Sequence, residues 1–141
     1  MKLTKLFLGL LMVMCLMFAV GCSDDKDKGK GIDPASMNGT WTGDFAPWND
    51  AMEDFDWSNE VEVTAVVSGA NKVVFSGGVT GEGKISKLKE GSAEFDGMKF
   101  NYLIGEFEID GKKGEIWYAK SSGISFLDIE VEGWGWFESF K

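Results

Sequence analysis

From Glu60 to the C-terminus, the chain is a series of short alternating segments separated by turn residues. In residues 127–132, apolar side chains alternate with Asp and Glu, which is the pattern of a strand with one buried face. Asp96-Gly97 and Asp110-Gly111 are typical of two-residue hairpin turns. Such turns require a positive φ at both central positions, and Asp followed by Gly accepts this conformation. Each strand is therefore expected to pair with the next one along the chain. This feature restricts the fold to an antiparallel all-β meander.

The spacing of the turns predicts eight or nine strands. The first covers residues 39–45, with Trp41, Gly43 and Phe45 on one face. A change of apolar phase at Gly105 predicts a bulge or sharp bend in a later strand. A meander of this many strands curls, and closing it into a barrel removes both exposed edges. We expect a small closed barrel, with an open sandwich or a half-barrel folded over a helix as the alternative.

One segment departs from the alternating pattern. In residues 47–57, Trp48, Met52 and Phe55 recur at helical spacing, with acidic residues between them. Pro47 is acceptable in the first turn of a helix. We therefore predict one short amphipathic helix after the first strand, which must dock on the barrel because it is too short to be stable alone.

The start of the meander resembles a known family. Residues 38–43 read Asn-Gly-Thr-Trp-Thr-Gly, which is similar to the Gly-x-Trp opening of lipocalins and other calycins. The resemblance implies a lipocalin-like barrel over residues 37–141, with Trp41 packed across its closed end. It also implies a late basic residue stacked on that tryptophan. The chain has no arginine, so only Lys120 or Lys141 could fill this role.

The N-terminus has the features of an export signal. Lys2 and Lys5 precede an apolar run over residues 6–20, which is short for a transmembrane helix. Ala19-Val20-Gly21-Cys22 resembles the cleavage site of bacterial lipoproteins, in which the cysteine is acylated and becomes the first residue. The resemblance implies a signal peptide over residues 1–21 and membrane attachment through acyl chains on Cys22. An ordinary secretory signal with a chance cysteine and an uncleaved single-span anchor are the alternatives.

Residues 22–36 are expected to be the lipidated cysteine and a disordered polar tether. The acidic residues directly after Cys22 are similar to the surface-export tether of Bacteroidota lipoproteins. Ser23 is similar to the residue that favours outer-membrane sorting. The resemblance implies an outer-membrane lipoprotein of the bacterial cell envelope, exposed at the surface if the tether acts as an export signal. A plain solvated spacer is the alternative.

Composition argues against several classes of function. The chain has no histidine, and Cys15 and Cys22 lie in the leader and at the lipidation site, so the common nucleophile-base pairs cannot form in the domain. Zinc also lacks its usual ligands there. We therefore predict a protein that is not an enzyme and that has no metal and no cofactor. A net charge of −9 without a basic patch argues against nucleic-acid binding.

Two binding functions remain. In the first, the barrel holds a small apolar or amphipathic ligand in a cavity lined by inward side chains, which we expect to be Val61, Val63, Phe100, Tyr102, Leu127 and Ile129. In the second, outward aromatic residues form a protein-interaction module of the envelope, such as a protease inhibitor or an accessory subunit of a surface complex. The candidate ligand-binding residues are Trp48, Phe55, Trp57, Phe100, Tyr102, Trp117, Trp134 and Trp136.

Overall fold

The computed structural model describes residues 32–121 and 123–141 as an all-β protein. No helix within these residues is long and apolar enough to cross a membrane. The strands are β1 (Gly39–Asn49), β2 (Asp54–Phe55), β3 (Val61–Ser68), β4 (Lys72–Gly77), β5 (Gly81–Phe95), β6 (Met98–Ile109), β7 (Lys112–Ser121), β8 (Ile124–Val131) and β9 (Gly135–Phe140).

Eight of these strands form a closed antiparallel barrel. Sequential neighbours pair from β3 to β9, and β1 pairs with β3 on one side and with β9 on the other. The closing pairs include Phe45 opposite Phe137. The remaining strand, β2, is an extra strand that pairs only with β1. The predicted all-β meander is confirmed, and the open sandwich is wrong because both strands that would form its edges are paired with each other.

The two predicted hairpin turns are present. Phe95 pairs with Met98, and Ile109 pairs with Lys112, which leaves two residues in each turn. All four turn residues have positive φ, between 51° and 76°. This is the mirror-image turn that matches the right-handed twist of the flanking strands.

The predicted irregularity near Gly105 lies on the neighbouring strand. The register between β5 and β6 shifts between Ser86 and Lys89, and Lys87 has a φ of 53°. Gly105 faces this bulge: a Cβ on Gly105 would lie 2.9 Å from both the Ser86 carbonyl oxygen and a methyl carbon of Leu88. The phase of β6 itself does not switch. It carries apolar residues on both faces, and this produces the apparent change of phase in the sequence.

The predicted amphipathic helix over residues 47–57 is wrong. Trp48 and Asn49 extend β1 and pair with Phe55 and Asp54 of β2. The side chain of Asn49 accepts backbone hydrogen bonds from residues 51 and 52 and so stabilises the turn between the two strands. The short helix that does follow the first strand is a single 3-10 turn over Trp57–Asn59. The spacing between Trp48 and Phe55 fits a cross-strand pair as well as a helix face.

One end of the barrel is closed by the segment before β1. Pro34–Met37 forms a 3-10 helix, and Met37 is buried in the core. The Trp41 indole nitrogen donates a hydrogen bond to the Met37 carbonyl oxygen at 2.8 Å. Of the two candidate lysines, Lys141 lies over the Trp41 ring, with its Nζ 4.1 Å from the ring centroid. Ile32 also packs against the core, so the ordered domain begins before residue 37 and includes the end of the predicted tether. The predicted signal peptide and Cys22 lie outside the described residues.

Aromatic side chains fill the inside of the barrel. Phe75 of β4 lies 6.1 Å from Phe107 of β6 and 5.8 Å from Phe137 of β9, measured between ring centroids. Trp134, from the turn between β8 and β9, packs on Phe75 at 5.0 Å and on Phe45 at 4.7 Å. Rings from opposite walls therefore meet at the centre, as expected for a barrel whose lumen is just wide enough for its own side chains.

The inward positions were predicted only in part. Val63, Leu127 and Ile129 lie in this core. Val61 is exposed, because it precedes the part of β3 that faces the core. Phe100 and Tyr102 are not core residues and belong to a separate cluster on the opposite face of β6.

Candidate functional site

The outside of the barrel carries an apolar cluster across β5 to β8. Its core is Tyr102, Trp117 and Phe126 with Ala93 and Ala119, and Phe100 and Ile104 pack against it. The Tyr102 and Trp117 rings are 5.9 Å apart. Alternation along each strand places these residues on the face opposite the core. We call this set the outer apolar cluster, and it contains three of the eight predicted site residues.

Exposed apolar residues continue this cluster toward β9. Phe140 packs on Phe126 at 5.0 Å between ring centroids and is still 46% exposed. Ile124, two residues before Phe126 on β8, is 60% exposed. These exposed side chains are the accessible edge of the outer apolar cluster.

Four other predicted residues form a second aromatic group on the outside, which we call the tryptophan cluster. Phe55 packs edge-to-face on Trp48 at 5.2 Å and on Trp136 at 5.4 Å. Trp57 packs on Trp136 at 5.3 Å. Ala46, whose register partner on β9 is Trp136, is fully buried. The tryptophan cluster thus docks the β1–β2 hairpin on the barrel wall. The eighth predicted residue, Trp134, lies inside and belongs to neither group.

Asp56 anchors the chain that leads from this hairpin to β3. Its carboxyl group accepts hydrogen bonds from the Ser58 backbone and hydroxyl group and from the amide groups of Asn59 and Asn49. The hydrogen bonds from Ser58 and Asn59 lower the pKa of Asp56 to about 2, although burial opposes them. The residue therefore serves the local fold, because its oxygens are already used by the 3-10 turn.

A row of carboxylates crosses the outside of the barrel between the two aromatic groups. Asp128 of β8 is the register partner of Glu138 on β9, Glu138 is the partner of Asp44 on β1, and Asp44 is the partner of Glu62 on β3. We call these four residues the carboxylate row. On its other side, Asp128 has Trp117 of the outer apolar cluster as its register partner.

A second set of acids lies beside this row. Glu115 of β7 is the register partner of Glu106 on β6 and of Glu130 on β8. The Glu115 carboxylate accepts a hydrogen bond of 3.1 Å from the Trp117 indole nitrogen. At the far end of this set, Lys87 lies 3.0 Å from Glu106. Glu115 and Glu130 therefore add negative charge beside Asp128, at the β8 end of the carboxylate row.

Asp128 is the most perturbed group in this region. Burial raises the pKa of its carboxyl group well above the usual value, and the neighbouring Glu138 and Glu130 raise it further. The Trp136 indole lies close enough to lower this pKa by a smaller amount. Even so, neither Oδ1 of Asp128 nor Nε1 of Trp136 has a hydrogen-bond partner of good geometry among the described residues. Burial also raises the pKa of Glu130, with further contributions from Glu115 and Asp54.

The carboxylate row was missed in the sequence, although its members were visible. Asp128 and Glu138 each occupy an outward position in an alternating strand, which is where charged residues are ordinarily solvated. The sequence does not show that acids of four strands share one register row. The useful signal was the absence of lysine from the outward positions of β8 and β9.

Comparison of the chain with protein-family models, with characterised proteins and with solved structures found no match.

Proposed function

We propose that this protein is a bacterial envelope lipoprotein, anchored to the membrane through acyl chains on Cys22, whose barrel is a protein-interaction module and not an enzyme. The lipoprotein part of the proposal is supported by the Ala-Val-Gly-Cys sequence after an apolar run of signal-peptide length. The interaction part is supported by the structure of the barrel wall.

The observation that carries the interaction proposal is the contrast between the inside and the outside of the barrel. Inside, the rings of Phe75, Phe107 and Phe137 are buried against one another, and the partly buried Trp134 packs on them from the β8–β9 turn, so side chains fill the space in which a ligand of a hollow barrel would bind. Outside, Ile124 and Phe140 form the exposed edge of the outer apolar cluster, and the carboxylate row lies beside that cluster on the wall formed by β8, β9 and β1. Surfaces that combine aromatic residues with a polar border are typical of protein interfaces.

The charge pattern defines the partner that this surface fits. Acids border the outer apolar cluster on its β8 and β9 side, and the chain as a whole has a net charge of −9. Electrostatic complementarity favours a partner surface that is apolar at its centre and basic at its border. We therefore propose an envelope protein with such a surface as the partner.

Site-specific photo-crosslinking in the native envelope tests the interaction. A photoreactive amino acid at Ile124, which is 60% exposed, should form one defined adduct, and the same label at Val66, which is 40% exposed on β3, should not. The protein in the adduct is then purified and its binding measured directly. Ile124→Lys should weaken that binding and Val66→Lys should not. Equal crosslinking at both positions, or no effect of Ile124→Lys on the purified pair, would contradict the proposed surface.

Metabolic labelling with an alkyne-bearing fatty acid tests the anchor. The wild-type chain should incorporate the label and partition with membranes, because acyl chains on Cys22 supply the membrane affinity. Cys22→Ala should lose both the label and the membrane fraction. An unlabelled wild-type chain would contradict the lipoprotein assignment without affecting the interaction surface.

A further inference from the structure

The hairpin of β5 and β6 extends past the strand that borders it. β5 pairs with β6 up to the two-residue turn between them, but its other neighbour, β4, pairs with it only as far as Lys84. One more backbone hydrogen bond joins the Ile85 amide to the Asn71 carbonyl oxygen at 2.8 Å. After the bulge, the side of β5 that faces away from β6 has no strand partner in the described part of the chain. We call residues 89–95 of this strand the free edge, which is roughly 23 Å long.

The pairing pattern shows which backbone groups lie on the free edge. In an antiparallel sheet, successive residues direct their N–H and C=O groups alternately to one neighbour and to the other. Ile85 is bonded to β4, so odd-numbered residues before the bulge face β4, and the one extra residue of the bulge reverses this order. After the bulge, Glu90, Ser92 and Glu94 therefore present their backbone groups at the free edge. None of these groups has a backbone partner among the described residues.

The free edge is accessible to a partner. Glu90 and Glu94 are exposed, and Ser92 is partly exposed. Natural sheets commonly block long edges with proline or with bulges that twist the edge away. Here the bulge lies before the free edge, and no proline lies between it and the turn. An unpaired edge of this length is suited to the addition of a strand from another chain.

The two faces of the free edge differ in chemistry. Ala93 belongs to the outer apolar cluster, and Gly91 lies on the same face, opposite Tyr102 of that cluster. The Tyr102 ring lies over Gly91, since a Cβ on Gly91 would be 2.5 Å from it. Glu90 and Glu94 project from the opposite face, because side chains alternate along a strand. An added strand therefore places alternate side chains beside the outer apolar cluster and beside these two acids.

We propose that the free edge of β5 binds an extended segment of the protein partner as an additional antiparallel strand, in which apolar and basic residues alternate. The apolar residues extend the outer apolar cluster past Ala93, and the basic residues lie beside Glu90 and Glu94. Backbone hydrogen bonds give such a strand its affinity, and the alternating side chains give it specificity. The inference deepens the proposed function and rests on it, because it names the part of the partner that binds.

A second copy of this chain fits the free edge less well. Two-fold pairing centred on Ser92 uses the whole free edge, but it places Glu90 of one copy opposite Glu94 of the other. Like charges directly opposite each other on paired strands are destabilising. The net charge of −9 adds to the repulsion between two copies. A basic strand from a different protein avoids both costs.

Fluorescence anisotropy with the full chain in a non-ionic detergent tests the proposal, and the probe is a labelled peptide of about eight alternating valine and lysine residues. Hydrogen-bonded residues on paired strands point their side chains to the same face, so the backbone amides of the lysines face β5 and those of the valines face away. Backbone N-methylation of the lysines should therefore weaken binding by at least about tenfold. The same modification of the valines should weaken it by less than about threefold, because it leaves charge and pairing unchanged.

Three variants of the chain locate the binding site. Ser92→Pro removes an amide that faces the free edge and not β6, so it should weaken binding of the peptide by about tenfold and keep the barrel folded. Glu90→Lys should weaken binding by about threefold and should bind a valine–glutamate peptide more tightly than the wild type does. Glu132→Lys makes the same change of charge at an exposed position in the β8–β9 turn and should have less than about a twofold effect. Circular dichroism of each variant checks the fold, and Glu90→Lys covers the case in which Ser92→Pro alters it.

Each outcome decides the proposal. Binding that is lost with the lysine-methylated peptide and in Ser92→Pro or Glu90→Lys, and kept with the valine-methylated peptide and in Glu132→Lys, supports the strand site. No binding of the unmodified peptide, or equal binding of the two methylated peptides, overturns it. Sedimentation velocity of the full chain in detergent covers the second copy. Self-association that Ser92→Pro abolishes overturns the proposal in favour of a dimer.

The crosslinking experiment at Ile124 separates this inference from the proposed function. If Ile124 gives no adduct but the peptide binds with the expected dependence on N-methylation, the contact surface at β8 and β9 fails and the strand site stands. If Ile124 gives its adduct but the two methylated peptides bind equally, the strand site alone is rejected.

Discussion

Phe75→Ala is the substitution that most directly tests whether the inside of the barrel is a packed core. Phe75 is 2% exposed and contacts rings of Phe107, Trp134 and Phe137 at 5.0 to 6.1 Å. Its removal leaves a cavity at the point where three walls meet. If these rings are the core, the cost must be that of a large core truncation.

The expected magnitude follows from the packing. Truncation of a buried phenylalanine to alanine costs about 3–5 kcal/mol, made up of lost burial and of the cavity that remains. Since a domain has a total stability of about 5–15 kcal/mol, this is a large fraction of it. At about 4 °C for each kcal/mol, the melting temperature should fall by roughly 12–20 °C. Phe140→Ala, on the outside of β9, should cost about 1 kcal/mol or less, because that ring is 46% exposed.

Thermal and urea unfolding followed by circular dichroism measure both variants. Binding of a fluorescent fatty-acid probe is measured in parallel on the wild-type chain. A loss of under about 1 kcal/mol for Phe75→Ala, together with saturable binding of the probe by the wild-type chain, would refute the packed interior. That result would favour a small apolar ligand inside the barrel instead of a partner outside it.

Three further predictions follow from single contacts. Gly114→Ala should cost about 1–3 kcal/mol in urea unfolding, because the new Cβ would lie 2.0 Å from a backbone carbonyl oxygen of β8; a loss below about 0.5 kcal/mol would contradict the close approach. Asp128 has a pKa above its unfolded value, so its contribution to stability is greatest below about pH 4 and is lost as the pH rises through the folded pKa. The melting temperature of Asp128→Asn relative to the wild type should therefore increase as the pH rises from about 4 to about 8. Melting temperatures of the two proteins that change in parallel with pH would count against the buried charge. Lys141→Met should cost about 0.5–1 kcal/mol through the lost contact with Trp41, whereas Lys120→Met should have no measurable effect; equal losses would reject the contact.

The like-charged pairs of the carboxylate row are a property of the register between strands and not of any single strand. Each acid separately satisfies the rule that outward positions of a strand are polar, so each is acceptable to its own strand. Their conflict exists only between strands, at the register that brings Glu138 between Asp128 and Asp44. Departures from local consistency of this kind are expected at functional sites.

Errors in the sequence-based prediction have two physical causes. In residues 47–57, the spacing of Trp48 and Phe55 suits a helix face and a hairpin equally, and contacts with the distant Trp136 favour the hairpin. In β6, both phases are apolar, so periodicity could not show that Tyr102 faces outward and Leu103 inward. Only the packing partners on neighbouring strands distinguish the two faces.

The sequence alone determines the local structure of this protein: where strands alternate, where Asp-Gly turns reverse the chain, and that Trp41 faces the core. These properties depend on backbone conformation and on the period of two, which neighbouring residues set by themselves. The tertiary structure decides the closure of β1 on β9, the filling of the barrel by Phe75 and Trp134, and the alignment of acids from four strands. Each of these depends on the register between segments that are distant in the chain, and that register is set only when the whole barrel packs around one core.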